Sequence, residues 1–185
     1  TGSTLSLQAG NMTLGEGLFN LAGFESAALR ASEGLTTSGQ GSLMSQAPLS
    51  IDAPVISASG NAVTRIESNG LLRISSGDAA TTLPSGAGIG GSLTLAGNQI
   101  DYSGRIVMPS GSVSLQQING PGNTGGDLVL SPGAEIDVAG SSVSFESAAQ
   151  VDTRGGLITL SAESGAVRLA NGTRLDVSGS SAGGD

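Results

Sequence analysis

The fold is decided by a stretch in the middle of the chain, which reads Gly91-Ser-Leu-Thr-Leu-Ala-Gly-Asn-Gln-Ile-Asp-Tyr-Ser-Gly104. Apolar and small polar residues alternate from Leu93 to Leu95, and a second apolar group begins at Ile100. Alternation over three to five residues, closed by Gly, Asn or Ser, is typical of a half-buried strand followed by a turn. The stretch therefore predicts short strands that are separated by tight turns.

The end of this stretch is one copy of a pattern that recurs along the chain. The pattern has an aliphatic residue, two variable residues, a small or polar residue and then glycine, at residues 35–39, 56–60, 66–70, 100–104, 107–111, 136–140, 151–155 and 175–179. Short alternating segments lie between the copies, at residues 5–7, 93–95, 113–115, 128–130, 143–145 and 167–169. These units predict an all-β chain, and the one helix-like segment, residues 27–31, is too short and lacks a cap.

The composition favours a β-solenoid over a sandwich. The 185 residues include 31 Gly but only three Phe, one Tyr and no Trp, while 37% are hydrophobic and the mean hydropathy is +0.14. A disordered chain would be poorer in aliphatic residues, and a sandwich needs longer strands and aromatic core fillers. A parallel β-helix has a narrow interior that suits Val, Ile, Leu and Ala. We expect one β-helix segment over residues 1–185, with about eight coils of roughly 20–24 residues each, cut from a longer chain.

A regular stacking register with this coil length can be proposed for the second half of the chain. Three stacked faces are predicted. The first face contains Leu93, Val113, Ile136 and Ile158. The second face contains Ile106, Leu128, Val151 and Leu175. The third face contains Ile100, Val143 and Val167, with Ile118 near the missing position. In this register the loop at residues 119–126 protrudes as an insertion.

The charged and reactive residues exclude several classes of protein. The chain has no His, Cys or Lys, seven Arg and a net charge of −8. Without His or Cys there is no common zinc, haem or iron–sulfur site, no thiol nucleophile and no Ser-His-Asp triad. An acidic chain with scattered Arg and few aromatic residues also lacks a nucleic-acid surface. No apolar run reaches the length of a membrane-spanning helix.

Four aspartates are candidate catalytic residues: Asp101, Asp137, Asp152 and Asp176. Each follows an inward aliphatic residue and so points outward, where β-helix lyases and glycosidases hold paired carboxylates. The alternative is that each carboxylate accepts hydrogen bonds from amides of the following turn, and we favour it for all four. Calcium bridging is a weaker alternative, because the Gly-Gly-x-Gly-x-Asp repeat is absent. We predict no catalytic residue, no metal site and no cofactor.

The remaining motifs have structural explanations. Residues 86–91 match GxGxxG, but a strand rather than a helix follows, so we predict a turn and no nucleotide site. The Asn-x-Thr sequons at Asn11 and Asn171 are expected to be turns. The Thr pairs at residues 36–37 and 81–82 do not recur in register as an ice-binding ladder would. The aromatic residues are too scattered for a sugar platform, and packing is expected for Phe19, Phe24, Tyr102 and Phe145.

Three segments resemble the shaft repeats of filamentous-haemagglutinin-type exoproteins of Gram-negative bacteria. They are residues 23–32, 91–104 and 172–179. The resemblance implies a right-handed parallel β-helix that is exported by two-partner secretion through a dedicated outer-membrane β-barrel transporter. The Asn-Pro-Asn motifs of that family's secretion domain are absent, so the chain resembles shaft rather than export signal. The lack of Cys suits this route, because no disulfide can form before export.

The expected function is that of a non-enzymatic rod in a secreted surface protein, supporting adhesion or the formation of fibres and matrix. The expected partners are the cognate transporter, a receptor on a host cell, a bacterial cell or a glycan, and a second copy joined axially through the open sheet edges. Two alternatives stay open, namely a carbohydrate-active β-helix enzyme and a self-assembling extracellular fibre subunit.

Overall fold

The chain folds into β-strands throughout the part that the structure describes. This computed structural model describes residues 2–77, 87–120, 122, 124–144 and 150–180. These residues contain no helix, and so none that is long and apolar enough to cross a membrane. Their strands are β1 (Thr4–Leu14), β2 (Gly17–Leu21), β3 (Ser26–Thr37), β4 (Gln40–Ser45), β5 (Leu49–Asp52), β6 (Ile56–Ala58), β7 (Val63–Ser75), β8 (Ser92–Ser103), β9 (Arg105–Val107), β10 (Ser112–Gln117), β11 (Leu128–Leu130), β12 (Glu135–Asp137), β13 (Ser142–Ser144), β14 (Gln150–Asp152), β15 (Leu157–Ala162), β16 (Val167–Leu169) and β17 (Arg174–Asp176).

Fifteen of these strands form one sheet in which every pairing is parallel, and they stack as three ladders. Each ladder is defined here by one column of paired residues. Ladder A is Leu5, Ala27, Leu49, Leu72, Ile100, Leu128 and Val167. Ladder B is Met12, Leu35, Ile56, Ile106, Ile136 and Leu175. Ladder C is Phe19, Leu43, Ile66, Leu95, Leu115 and Leu160.

The chain visits the ladders in the cyclic order A, B, C. Between Leu72 and Leu95 the described residues contain no ladder-B strand, and residues 78–86 of that circuit lie outside them. Parallel strands in one sheet need a crossover connection between them. Each time the chain returns to ladder A, it has therefore completed one circuit of the three ladders. This arrangement confirms the all-β, parallel prediction and is compatible with a β-solenoid.

The core lies between the three ladders and is aliphatic, as predicted. The members of the ladder columns that lie between two neighbouring strands are at most 4% exposed. Full burial of such a side chain contributes about 1.5–3 kcal/mol. Most polar residues of the alternating pattern point outward, which is why burial alternates along a strand, as it does from Ser112 to Leu115 in β10.

The stretch from residue 91 to residue 104 departs from its prediction in one respect. Instead of short strands with a turn between them, residues Ser92–Ser103 form a single strand, β8, whose first part belongs to ladder C and whose second part belongs to ladder A. The chain turns the corner at Gly97, where an added Cβ would lie 2.9 Å from Leu72 Cβ. Glycine therefore permits a corner that a larger residue would obstruct.

The predicted turns are confirmed in some copies of the five-residue pattern and not in others. β3 ends at Thr37, and Gly39 follows with a φ of +67°, in the left-handed region that favours glycine. In contrast, residues 66–70 lie inside β7, where the pairing with β8 shifts between Ser68 and Leu71.

The register predicted for the second half was correct for some neighbours and wrong for others. Leu93, Val113 and Ile158 do stack in ladder C, but Ile136 belongs to ladder B, with Ile106 and Leu175. Leu128 stacks on Ile100 and Val167 in ladder A.

The errors come from chain that is inserted between ladder strands, both before Leu128 and after Ile136. Val143 and Val151 pair with each other in an antiparallel hairpin of β13 and β14, outside the main sheet. Along ladder A, the interval from Leu128 to Val167 is nearly twice as long as the interval from Leu5 to Ala27. The regular spacing therefore fails where the hairpin is inserted. The described residues of the loop at 119–126, which are 119, 120, 122 and 124–126, also lie outside the ladders, with a bridge between Gly120 and Thr124, as predicted.

Tyr102, the single tyrosine, is the one aromatic residue that is fully buried among the described residues. Its hydroxyl donates a hydrogen bond to the Glu135 carbonyl oxygen at 2.7 Å. Packing was predicted for this residue and is confirmed. Gly104 lies beside it and is required by Ile74 rather than by the ring, because a Cβ there would lie 2.7 Å from Ile74 Cγ2 but 3.5 Å from the ring, an ordinary contact.

Alkaline titration of Tyr102 is expected to report unfolding. Burial, with the nearby Glu135 charge, raises the pKa of the phenol well above 10.0. The unfolded phenol ionises near pH 10, so the folded state binds more protons above that pH and the free energy of unfolding falls as pH rises. Tyrosinate absorbance should therefore appear together with loss of β circular dichroism. Titration near pH 10 in a folded chain would contradict this. Tyr102→Phe should remove the alkaline loss and cost about 1–2 kcal/mol at neutral pH.

Candidate functional site

The outward aspartates were the first candidates for chemistry, and two of them cap turns as predicted. The amide of Ala139 donates to Asp137 Oδ1 at 3.0 Å, and the amide of Ser178 donates to Asp176 Oδ1 at 3.0 Å. The side-chain and backbone hydrogen bonds from Ser178 lower the pKa of Asp176, and the Arg174 charge lowers it further. Both carboxylates therefore cap the turn that follows them.

The other two aspartates behave differently from the prediction. Asp101 pairs with Arg73 on the neighbouring strand, with Nε 3.2 Å from Oδ2, and accepts a hydrogen bond from Ser131 Oγ at 3.2 Å. Asp152 accepts a hydrogen bond from Ser142 across the β13–β14 hairpin. The interpretation that the following turn accounts for all four aspartates was therefore wrong for this pair, because each is held by a partner on another strand.

Ion pairs bridge neighbouring strands on the outer surface. Glu135 lies between two arginines, with Arg105 Nε at 3.0 Å and Arg174 Nη1 at 2.8 Å, and Arg174 Nη2 reaches Asp176 at 2.9 Å. These residues stand in paired positions of β9, β12 and β17, so the cluster links three consecutive strands of ladder B.

A further ion pair lies on ladder A, in addition to that of Arg73 and Asp101. Arg168 Nε is 2.7 Å from Asp127 Oδ2, and the amide of Ala166 donates to the other oxygen of Asp127. The amide hydrogen bond is the larger cause of the lowered pKa of Asp127, and the hydrogen bond from Arg168 is the second. Arg168 and Asp127 thus connect β16 with the segment that precedes β11.

Replacing Glu135 with Gln is expected to destabilise the chain modestly. The variant removes the carboxylate between Arg105 and Arg174, and half-exposed pairs of this kind contribute about 0.2–1 kcal/mol each. We expect a loss of about 1 kcal/mol in low-salt chemical denaturation, shrinking as salt screens the charges. Glu67→Gln is the control, because its pair with Arg65 lies within one strand. An equal loss in both variants would contradict the bridging role.

An interior amide was missed by the sequence reasoning. Gln117 is 1% exposed, and its amide nitrogen donates to the carbonyls of Asn98 and Ile118. Its oxygen accepts from the amides of Ser164 and Gly165. The alternation Val113, Leu115, Gln117 did carry a signal, because it places a polar residue at an inward position.

The remaining sequence motifs have structural positions and, among the described residues, no apparent site. Gly86 of the GxGxxG match lies outside the described residues, and the rest of the motif leads into strand β8 rather than a helix, as predicted. Thr36 is buried, and its hydroxyl is 3.4 Å from Ser57 Oγ on the next strand. Thr81, Thr82 and Phe145 lie outside the described residues. Phe19 is 43% exposed at the N-terminal end of ladder C.

The two sequons differ in setting. Asn11 is on strand β1, where a turn had been expected, and it donates to Glu33 on the neighbouring strand. Asn171 is in a turn as predicted, which the hydrogen bond from Thr173 Oγ1 to the Ala170 carbonyl closes at 2.9 Å.

A groove of about 570 Å³, lined by both polar and apolar residues, runs across neighbouring strands of ladder A near β1. Gln8, Arg30 and Asp52 occupy paired positions along it. Asp52 accepts a hydrogen bond from Ser75 Oγ at 3.1 Å. Within the described part of the chain, no group of three or more Asp, Glu, His or Cys residues is arranged to hold a metal ion.

Comparison with protein families, with curated proteins and with solved structures finds no match to this chain.

Proposed function

We propose that this chain is a length of rigid shaft in a large exported bacterial surface protein, coiled as a right-handed parallel β-helix. The observation that carries the proposal is the continuity of the ladders. Ladder A runs through seven paired strands with an aliphatic interior. Six steps of about 4.8 Å give that ladder a length of roughly 29 Å.

The chemistry of the outer surface supports a structural role. The four outward aspartates have structural partners, in turns, ion pairs or the hairpin. The ion pairs at Glu135 and Asp127 join successive strands, which stiffens the stack against sliding. A stack in which each circuit contacts only its neighbours also lengthens by adding circuits.

The proposal places the protein outside the cell, on a Gram-negative bacterial surface or in the medium. Its export partner would be a cognate outer-membrane β-barrel transporter, and its later partner a receptor on a host cell, a bacterial cell or a glycan. The shaft would hold an adhesive or toxic module away from the cell or build fibres and matrix. The resemblance of residues 91–104 and 172–179 to exoprotein shaft repeats supports this assignment.

The intact mass of the native protein tests the shaft role. An antibody raised against this chain would be used to recover the cell-surface and secreted material for mass measurement. A mass far above 17.9 kDa, lost from the surface when the transporter gene is deleted, is expected. A native mass near that of the chain would favour a fibre subunit. Polysaccharide turnover by the purified chain, lost in an Asp52→Asn variant, would favour an enzyme.

A further inference from the structure

The chain contains three Asn-Gly pairs, and the fold places them in different settings. They are Asn69-Gly70, Asn119-Gly120 and Asn171-Gly172. An asparagine before glycine loses its side-chain amide readily, because glycine has no side chain to hinder attack by its own backbone nitrogen on the asparagine. The reaction requires that this nitrogen and the asparagine side chain can approach each other. The hydrogen bonds at each pair therefore decide which asparagine can react.

Asn171 and Gly172 are the two central residues of a turn between β16 and β17. The amide of Thr173 donates to the carbonyl oxygen of Ala170 at 3.3 Å, and Gly172 has a φ of +83°. Both central residues are exposed. Within the described part of the chain, neither the side chain of Asn171 nor the amide of Gly172 makes a hydrogen bond. The peptide between them can therefore rotate toward the side chain without breaking one.

The exposure of this turn does not depend on its position in the last described circuit. One circuit earlier, Pro132 and Gly133 occupy the same two positions, since β11 pairs with β16 and β12 pairs with β17. Gly133 has a φ of +84°, and both residues are exposed although Gly172 of the following circuit lies beside them. Among the described residues the Gly133 amide also has no hydrogen-bond partner. A further circuit stacked on β16 and β17 would therefore leave Asn171 accessible.

The pair Asn69-Gly70 is held on both sides of the peptide that would have to rotate. It lies within β7. The amide of Gly70 donates to Ser68 Oγ at 3.2 Å. The carbonyl oxygen of Asn69 accepts a hydrogen bond from Asn98 Nδ2 at 2.8 Å. Moving the Gly70 nitrogen onto the Asn69 side chain would break both bonds.

The pair Asn119-Gly120 is held at the two groups that would react. The amide of Gly120 donates to the carbonyl oxygen of Thr124 at 2.8 Å. The side-chain oxygen of Asn119 accepts a hydrogen bond from Ser164 Oγ. The backbone amide of Asn119 also donates to Glu163 Oε2 at 2.8 Å. The attacking nitrogen and the side chain that it would attack thus both have partners.

We infer that Asn171 is a site of spontaneous deamidation in the folded protein, and that the fold protects Asn69 and Asn119. The Gly172 nitrogen loses its proton and bonds to Asn171 Cγ, the bond from Cγ to Nδ2 breaks, and ammonia leaves. Water then opens the resulting succinimide ring at either of its carbonyls, which gives aspartate or isoaspartate. The overall change is hydrolysis of an amide to a carboxylate and ammonia. It adds one negative charge to a chain whose net charge is −8.

The test follows the three asparagines separately while the purified chain is incubated at neutral pH. Peptide mapping by mass spectrometry measures the converted fraction of each, and released ammonia measures the total. In the folded chain Asn171 should react about tenfold faster than Asn69 or Asn119, since each hydrogen bond that must break lowers the rate several-fold. In denaturant the three should react at similar rates, because only the fold distinguishes them.

The variant Asn171→Gln is the matched control, because glutamine keeps the amide but must close a larger ring. It should retain the circular dichroism of the wild type and release little ammonia while folded. Equal rates at all three asparagines of the folded wild type would overturn the inference. A preference for Asn171 that persists unchanged in denaturant would also overturn it, because the difference would then come from the local sequence. The inference depends on the turn alone, so neither result alters the shaft proposal.

Discussion

Replacing Leu95 with Asp is expected to abolish folding of the chain. Leu95 is 0% exposed in the middle of ladder C, between Ile66 and Leu115. No arginine faces inward beside it in this column, so the new carboxylate would be buried among aliphatic side chains. The free energy of unfolding falls by about 2–5 kcal/mol for the loss of a buried leucine side chain. It falls further because the buried carboxylate must either be desolvated as a charge or be protonated. This sum is comparable to the whole stability of a domain, about 5–15 kcal/mol.

The matched control for this variant is Leu18→Asp. Leu18 is also a leucine in a strand of ladder C, but it is 88% exposed and belongs to the outward column. Exposed substitutions of this kind change stability by about 0.5 kcal/mol or less. Chemical denaturation followed by circular dichroism would compare both variants with the wild type. A cooperative transition in Leu95→Asp at nearly the wild-type denaturant concentration would refute the aliphatic interior.

Deleting residues 27–48 is expected to leave a folded chain that is shorter by one step of the stack. The deletion removes one full spacing of ladder A and joins Ser26 to Leu49. Leu49 then occupies the former position of Ala27 beside Leu5, and the later columns are kept, with Ile56 beside Met12. Stability in stacked repeats is close to a sum over neighbours. The expected result is therefore a modest loss of stability and a rod about 4.8 Å shorter in small-angle scattering.

A deletion of half this length, residues 27–37, serves as the control. It removes fewer residues but joins Ser26 to Ser38, which places the polar segment 38–42 against the apolar residues of β1. We expect this shorter deletion to unfold the chain, because shifting a ladder replaces its inward residues with polar ones. If both deletions had the same effect, in either direction, the stacking register described here would be incorrect.

The strands and the interior could be predicted from the sequence because both depend on short-range patterns. Alternation at residues 93–95, 113–115 and 128–130 predicted strands in β8, β10 and β11, and the shortage of aromatic residues predicted an aliphatic core. Even the stacking of Leu93, Val113 and Ile158 follows from aligning similar residues.

The rest could not be predicted, because it depends on how much chain lies between the strands. The hairpin strands β13 and β14 each place a Val between two polar residues, as the ladder strands do, so nothing local distinguishes the hairpin from another circuit. The partners of Asp101 likewise lie far away along the chain, at Arg73 on β7 and at Ser131 just after β11. Such contacts follow from the register, so they cannot be predicted when the register is wrong.

The inserted hairpin separates two properties that are coupled in most proteins. The interval from Leu128 to Val167 uses nearly twice as much chain as the interval from Leu5 to Ala27, yet each interval advances the stack by one strand. Residues inserted at the corners between strands therefore enlarge the surface structures of the stack without making the stack longer. Evolution or protein engineering can change the surface of the rod by lengthening the corner segments. The length of the rod can be changed separately, by duplicating whole circuits, and neither change constrains the other.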